Sequence, residues 1–187
     1  MTKFRSAFLA ACLTLGGAVL TSACSSLPDE VDRAQIDAGS RAALNKLVSE
    51  NSAARAVNNQ ARAALVFPSM VKAGLGFGGA YGEGELIRNG ATANYYSSFT
   101  GSWGLQAGAQ QYGYVVFLMN DKAVNYLEES EGWEIGVGPT VVLVNAGLAQ
   151  NLSTSTLKED AYAFVFDQKG LMAGVSIEGT KITKLVD

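Results

Sequence analysis

The chain contains no histidine, and this absence excludes several kinds of chemistry together. Histidine-based catalytic triads, the common histidine zinc sites and the usual pH switch near neutrality all require an imidazole ring. Only two cysteines and three prolines are present, and charged residues make up 17% of the 187 residues. Glycine is plentiful instead, with 21 residues. Because 48% of the residues are apolar, the chain can form one folded domain with a buried core.

The N-terminus has the pattern of an export signal. Lys3 and Arg5 precede an apolar stretch, residues 7–20, that has about two-thirds of the length needed to span a bilayer. We therefore predict that residues 1–23 form a signal peptide and not a membrane-spanning helix. Cys12 would leave with this signal, so the mature chain would contain no internal disulfide.

The end of this segment resembles a bacterial lipoprotein signal, in which small residues precede a cysteine that is acylated and becomes the new N-terminus. Residues 20–24 read LTSAC, with Leu20 one place farther from Cys24 than is usual. The alternative is plain signal-peptidase cleavage, which would leave a lone thiol on an exported protein. Because Ser25 and not Asp follows the cysteine, the resemblance implies an acyl (palmitate-type) anchor in the outer membrane, with the domain facing the periplasm.

A helical segment is predicted between Pro28 and Ala64. It contains a single glycine and ten alanines between positions 34 and 64, and alanine is the strongest helix former. Residues 49–52 predict a break between two helices. The second helix is expected to reach Leu65, because apolar residues recur at helical spacing up to that position.

Beyond Pro68 the pattern favours strands. Residues 103–110 alternate between apolar and polar side chains, and residues 114–119 are apolar throughout, which predicts a half-buried and a fully buried strand. A short helix is expected at 121–127. Further strands are predicted at 134–137, 140–144, 161–166, 172–177 and 181–186. The fold class is therefore α+β, with N-terminal Ala-rich helices packed on a Gly-rich antiparallel β-sheet or barrel.

Aromatic residues are concentrated in the predicted strands. We expect them to form the core of the sheet and not a platform for stacking bases, because the region lacks the basic residues that nucleic acids require. Nucleic acid is therefore not expected as a partner. These residues are Tyr95, Tyr96, Phe99, Trp103, Tyr112, Tyr114 and Phe117.

The same region resembles the SYLF domain, a lipid-binding module. Its motifs appear here as LVFPS at 65–69, KAG at 72–74, GGAYGEG at 78–84, GSWGLQAGAQ at 101–110 and KGLMAGVSIEG at 169–179. The resemblance implies a domain over residues 35–187, preceded by a lipidated N-terminus and linker at 24–34. Eukaryotic members of the family bind phosphoinositides and associate with actin, but a bacterial periplasm holds neither. The resemblance therefore implies the fold and contact with anionic phospholipid.

The predicted helical segment and its end are rich in positive charge. If one helix carried Arg41, Arg55 and Arg62, their spacing would place them within about 60° of one another. Each such residue would contribute about 1 kcal/mol of attraction to an anionic membrane. The alternative is an ordinary solvated face, and the predicted break would scatter the stripe. The candidate lipid-binding residues are Arg41, Lys46, Arg55, Arg62 and Lys72.

Two further motifs resemble sites of cofactor binding or catalysis. Residues 74–79 spell the G-x-G-x-x-G of a dinucleotide site, but no helical pattern follows, so we expect these glycines to line a strand instead. Glu83 and Glu85 share one face of a predicted strand, and paired carboxylates can hydrolyse glycans. A second carboxylate group surrounds Trp133: Glu128, Glu129, Glu131 and Glu134. Adjacent glutamates are usually exposed, and the missing histidine argues against catalysis.

The sequence therefore favours one function over two alternatives. We expect an exported lipoprotein, not an enzyme, whose SYLF-like domain binds anionic phospholipid through the five basic residues. The first alternative is a structural or protein-interaction module of the envelope, with another envelope protein as its partner. The second is a carboxylate-based hydrolase. We expect no cofactor and no metal ion.

Overall fold

A computed structural model describes residues 30–130, 132–152, 156–170, 177 and 179–185. The predicted signal peptide, Cys24 and the predicted strand at 172–177, except Ile177, lie outside these residues. The helices are α1 (Glu30–Glu50), α2 (Ser52–Asn58), α3 (Asp121–Glu129) and α4 (Ala146–Ala149). The strands are β1 (Ala63–Arg88), β2 (Ala91–Leu118), β3 (Trp133–Glu134), β4 (Val141–Leu143), β5 (Ala161–Gly170) and β6 (Thr180–Lys184). No helix within these described ranges is long and apolar enough to cross a membrane.

The two helices at the start of the domain are separated as predicted. The side chain of Asn51 accepts a hydrogen bond from the backbone N–H of Ala54 at 3.0 Å and so begins α2. The prediction that helix continues to Leu65 was wrong, because α2 ends at Asn58 and β1 begins at Ala63. Residues 63–67 pair with the buried end of β2, and this pairing outweighs the helical preference of alanine.

One long hairpin, β1 with β2, forms most of the sheet. The two strands pair antiparallel from Ala63 opposite Leu118 to Arg88 opposite Ala91. Asn89 and Gly90 both have positive φ angles, 53° and 77°, as a two-residue hairpin turn with right-handed strand twist requires. The sequence Asn-Gly supplies the residue types that this turn prefers.

The remaining strands attach to the other edge of β2. β6 pairs antiparallel with the first part of β2, β5 pairs antiparallel with its last part, and β3 pairs with β6. β4 pairs parallel with β5, so the sheet is mixed and the purely antiparallel expectation was wrong. The reason is the connection between these two strands, which contains α4 and is long enough for the crossover that parallel strands need.

The sheet curls, and its two faces bury two different sets of side chains. The inner face carries Leu65 and Phe67, and α3 adds Ala123, Val124 and Leu127 to the same core. The outer face packs against the first two helices, whose buried members include Leu47, Ala53, Ala54 and Val57. The α+β architecture with helices packed on the sheet is therefore present.

Residues 114–118 of β2 are buried on both faces, as their apolar run predicted. Tyr114 stacks on Phe67 on the inner side, with ring centroids 4.7 Å apart. Phe117 meets Phe164 edge to face on the outer side. Tyr96 and Tyr112 are also buried, in agreement with their predicted place in the core.

Two other aromatic residues of β2 depart from that prediction. Phe99 is 55% exposed, so its predicted burial was wrong. Its strand position faces the outer side of the sheet, beyond the part that α1 and α2 cover. Tyr95 is half-buried, and the side chain of Trp103 lies outside the described part.

Candidate functional site

The five basic residues predicted to bind lipid do not form a stripe along one helix. Arg41 and Lys46 lie in α1, Arg55 lies in α2, Arg62 immediately precedes β1, and Lys72 lies within β1. The condition for the stripe, a single helix carrying residues 41 to 62, is therefore not met. The residues belong to four separate parts of the chain.

Three of these residues hold α1 in place. Lys46 forms an ion pair with Asp167 of β5, with 2.6 Å between Nζ and Oδ1. Arg55 donates to the carbonyl oxygens of Val48 and Ser49 at 2.9 and 2.7 Å. Those carbonyls belong to the last turn of α1, where helix oxygens lack partners within the helix. Arg55 therefore caps α1 across the break between the two helices.

The guanidinium of Arg41 contacts the β1–β2 hairpin. It donates to the carbonyl oxygen of Gly90 at 3.1 Å and to the hydroxyl of Thr92 at 3.2 Å. By contrast, Arg62 and Lys72 have no side-chain hydrogen bond or ion pair among the residues that the structure describes. Within the described part of the chain, neither cation would have to give up a contact in order to meet a ligand.

A polar cluster joins α1 to the hairpin. Spacing of four residues places Arg33, Asp37 and Arg41 along one side of α1. The hydroxyl of Tyr95 donates to Oδ1 of Asp37 at 2.9 Å, and Arg33 lies 5.3 Å from the centre of the Tyr95 ring. Five residues of this region are called the junction cluster below. They are Asp37 and Arg41 of α1 and Glu85, Thr92 and Tyr95 of the hairpin.

Glu85 is the buried member of the junction cluster. Its side chain is fully buried, Oε2 accepts from the Thr92 hydroxyl at 2.5 Å, and Oε1 has no hydrogen-bond partner among the described residues. The pKa of Glu85 is raised to about 7. Burial is the main cause and the nearby carboxylate of Asp37 acts in the same direction, while the Thr92 hydrogen bond and the charge of Arg41 oppose them. The carboxyl is therefore easily protonated near neutral pH.

The expectation that the glutamates are exposed was wrong for Glu85. Little in the sequence predicts this burial, because Asp37 on α1 is distant along the chain and only the fold brings the two carboxyls together. The side chain is buried and lies beside Asp37 of α1, so it is not exposed as a carboxyl that attacks a glycan would need to be. Its neighbour Glu83 accepts a hydrogen bond from the Tyr81 hydroxyl at 2.6 Å. Within the described ranges no group of three acidic or cysteine residues is placed to hold a metal ion.

The glutamates around Trp133 are dispersed. Trp133 itself is fully buried, and its indole N–H donates to the carbonyl oxygen of Val137 at 3.1 Å. Glu134 is exposed, and Glu128 pairs loosely with Arg88 at 3.8 Å. Glu129 is exposed and Glu131 lies outside the described residues. No pair of carboxyls in the described part of this group shares a hydrogen bond or an ion-pair partner.

An exposed aromatic pair lies on the outer face of the sheet. Tyr81 of β1 and Phe99 of β2 stand directly opposite each other, and they are 50% and 55% exposed. Lys181 of β6 stands opposite Phe99 on its other side and is also exposed. We call these three residues the aromatic row. Sequence reasoning missed it because alternation in a strand does not reveal which part of a face a helix will cover.

The second half of the chain decides the family. Residues 99–187 match the family model described as Ysc84: Las17-binding protein actin regulator. Residues 99–187 therefore carry a domain of the Ysc84/SYLF family. The resemblance to the SYLF domain is thereby confirmed, and the matched segment includes two members of the aromatic row, Phe99 and Lys181. The family description names a binding protein and no reaction. None of the curated proteins matches the chain.

Proposed function

We propose that this protein is an exported lipoprotein whose SYLF domain binds anionic phospholipid at the cell envelope, without catalysing a reaction. The observation that carries the proposal is the family match over residues 99–187. The lipoprotein-like residues 20–24 supply the anchor, with Cys24 acylated in the outer membrane and the domain facing the periplasm. Partners are then the phospholipid membrane and, in the alternative, another envelope protein.

Arg62 and Lys72 are the first candidates for contact with lipid phosphates. Neither has a side-chain partner among the described residues, so lipid binding would break no contact with that part of the chain. Arg41, Lys46 and Arg55 already bind groups of the protein, and each would lose hydrogen bonds on turning toward a headgroup. Three acyl chains would hold the protein far more strongly than these side chains. The cations therefore serve to capture or orient lipid and not to attach the protein.

Co-sedimentation of the unacylated chain, residues 25–187, with phosphatidylglycerol vesicles tests this proposal. At low salt the Arg62→Glu/Lys72→Glu variant should bind the vesicles at least about tenfold more weakly than the unaltered chain, because two attractions become repulsions. Lys158→Glu/Lys169→Glu is the matched control, since both lysines are exposed and their side chains have no polar partner in the described part of the chain. Absence of binding by the unaltered chain at low salt would refute phospholipid binding.

The alternative function is a protein-interaction module of the envelope. The exposed aromatic pair favours it, because exposed apolar patches mark interaction surfaces. If the Arg62→Glu/Lys72→Glu variant binds vesicles as well as the unaltered chain does, these two basic residues are not the lipid contacts. Absence of vesicle binding would leave a protein partner as the better function. Incubation with purified cell wall tests the hydrolase alternative, which the buried position of Glu85 does not favour.

A further inference from the structure

We infer that the outer face of the sheet around the aromatic row, Tyr81, Phe99 and Lys181, is the surface that lies against the bilayer interface. This inference rests on the proposed acyl anchor at Cys24. It differs from the proposed phosphate contacts in its place on the domain and in its physical basis. The basis is apolar and aromatic contact. The short segment between Cys24 and α1 decides which face of the domain meets the membrane.

The aromatic row is a continuous feature across three strands. Tyr81 and Phe99 are direct cross-strand partners, and Lys181 extends the row on β6. Neighbouring strands lie about 4.8 Å apart, so the row is about 10 Å wide. The adjacent cross-strand pair on one side is Gly79 opposite Gly101. Since neither glycine carries a side chain, these two positions do not cover the rings of Tyr81 and Phe99 on that side.

The direction of α1 leads from the hairpin turn toward this row. Arg41 contacts Gly90 and Thr92, whereas Asp37, one turn earlier in α1, contacts Tyr95. Arg33, another turn earlier, again lies over the Tyr95 ring. Followed toward its N-terminus, α1 therefore advances along β2 in the direction of increasing residue number.

The aromatic row lies further along that same line. Phe99 comes four residues after Tyr95 in β2, which is about 13 Å along the strand and on the same face. Tyr95 faces α1, and Phe99 lies beyond the part of the face that the helix covers. The N-terminal end of α1 thus points toward the exposed rings.

The length of the tether limits how far this face can be from the membrane. Five residues, 25–29, separate Cys24 from Glu30, the first residue of α1, and the six residue-to-residue steps between them span at most about 20 Å. Acyl chains on Cys24 would fix that residue at the bilayer surface. The N-terminal end of α1 must then lie within this distance of the headgroups, and the face toward which it points lies beside them.

The composition of the aromatic row suits the bilayer interface. Tyrosine and lysine combine an apolar body with a polar tip, and aromatic residues are enriched at the level of the headgroups. Two acidic side chains, Glu83 and Glu134, lie beside the row. Lys181 therefore does not make this surface strongly cationic. Contact between the surface and the membrane should depend little on salt concentration.

The test places a new fluorophore in the row of the acylated full chain. Phe99→Trp is compared with Val71→Trp after reconstitution into phosphatidylethanolamine and phosphatidylglycerol vesicles that contain brominated acyl chains. Val71 is the matched control, because it is 56% exposed and lies on β1 on the other side of the glycine-rich segment. The unaltered chain measures the background of its own two tryptophans.

We expect the additional emission of Phe99→Trp to be quenched at least about twofold by bromines and to shift to shorter wavelength. The emission of Val71→Trp should change little, and raising the salt concentration should leave both results unchanged. Replacing Tyr81 with serine in the Phe99→Trp chain should reduce the quenching. Far-ultraviolet circular dichroism checks that each variant is folded.

Flotation of the same samples separates failure of this inference from failure of the proposed function. If the acylated chain floats with vesicles but Phe99→Trp is quenched no more than Val71→Trp, the aromatic row is not the membrane-facing surface. If the chain does not float, the anchor itself is absent, and the inference falls with it. Equal quenching of both variants would also overturn it, because the domain then has no fixed orientation.

Discussion

Gly84 lies against the backbone carbonyl oxygen of Val66, a residue from the beginning of the same strand. Gly82 approaches Ser69 and Met70 in the same way, so β1 folds back until its last part lies over its first. A Cβ atom at either glycine would overlap these neighbours. The curl of the sheet, and with it the enclosed inner core, therefore depends on the absence of side chains at these two positions.

Substitution of Gly84 tests this dependence. Gly84→Ala should lower the free energy of unfolding by about 3 kcal/mol or more, because the added methyl group meets rigid backbone and not a movable side chain. Gly101→Ala is the control, since a Cβ there would have no atom within 4 Å. Urea denaturation measures both. A loss for Gly84→Ala no larger than that for Gly101→Ala would contradict the close approach.

The buried carboxyl of Glu85 predicts a dependence of stability on pH. Below about pH 4.5 the group is protonated in both the folded and the unfolded chain. Between about 4.5 and 7 the unfolded chain loses this proton while the folded chain keeps it, because the folded pKa is raised to about 7. Stability should therefore fall as pH rises through this window, by up to about 3 kcal/mol, and remain lower above it.

Glu85→Gln should remove this fall, since glutamine does not titrate and its amide can donate to Asp37. Thermal unfolding between pH 4 and 8 measures the difference, with the variant more stable than the unaltered chain at pH 8. Glu83→Gln is the matched control on the same strand, and the fall should persist in it. Parallel stability curves for the unaltered chain and Glu85→Gln would refute the buried, protonated carboxyl.

Asp160 predicts the opposite dependence on pH. It accepts hydrogen bonds from Lys122 and Asn120, each at 2.8 Å, and from the backbone N–H of Thr140 at 3.0 Å. These contacts, led by Lys122, lower the pKa of Asp160 well below its ordinary value. The folded chain therefore resists protonation of this group, and its contribution to stability should be present above about pH 4 and be lost as pH falls.

Asp160→Asn should cost about 1–3 kcal/mol at pH 7, because it weakens contacts that join the start of α3 to the strands. The difference between variant and unaltered chain should shrink toward pH 3. Asp167→Asn serves as control: it removes an exposed ion pair with Lys46 and should change stability little. Equal effects of the two substitutions in chemical denaturation would contradict the central position of Asp160.

Acylation of Cys24 is decided by mass spectrometry of the mature protein isolated from membranes. We expect the N-terminal peptide to begin at Cys24 and to carry the added mass of a diacylglyceryl group and one further acyl chain. Cys24→Ser should move the protein from the membrane fraction to the soluble fraction, because the acyl chains supply most of the membrane affinity. A mature protein with an unmodified Cys24 thiol would exclude the lipoprotein function.

Much of the fold could be predicted from local patterns. The break near Asn51, the buried strand at 114–118 and the helix beginning at Asp121 were all anticipated, because each depends on neighbours in sequence. The end of the second helix was placed too late. Residues 63–65 have helical preference, and their strand state depends on partners that lie more than fifty residues away in β2.

The candidate sites were less predictable than the fold. The lipid-binding role of the basic residues stays a prediction, and the single helix that their spacing suggested ends before Arg62. The pairing of Asp37 with Glu85 and the exposure of Phe99 depend on where α1 lies across the sheet. The periodicity of α1 or of the strands does not reveal how the helix lies across the sheet.

The sequence by itself determined the family of residues 99–187, the α+β class and the lack of histidine chemistry, because motifs, periodicity and residue types are local properties. Only the tertiary structure decided which cations are engaged, which carboxyl is buried and which aromatic pair is exposed. The physical reason is that burial and partnership belong to pairs of surfaces. The same face of β2 is covered by α1 at Tyr95 and open at Phe99, although both positions alternate alike along the strand.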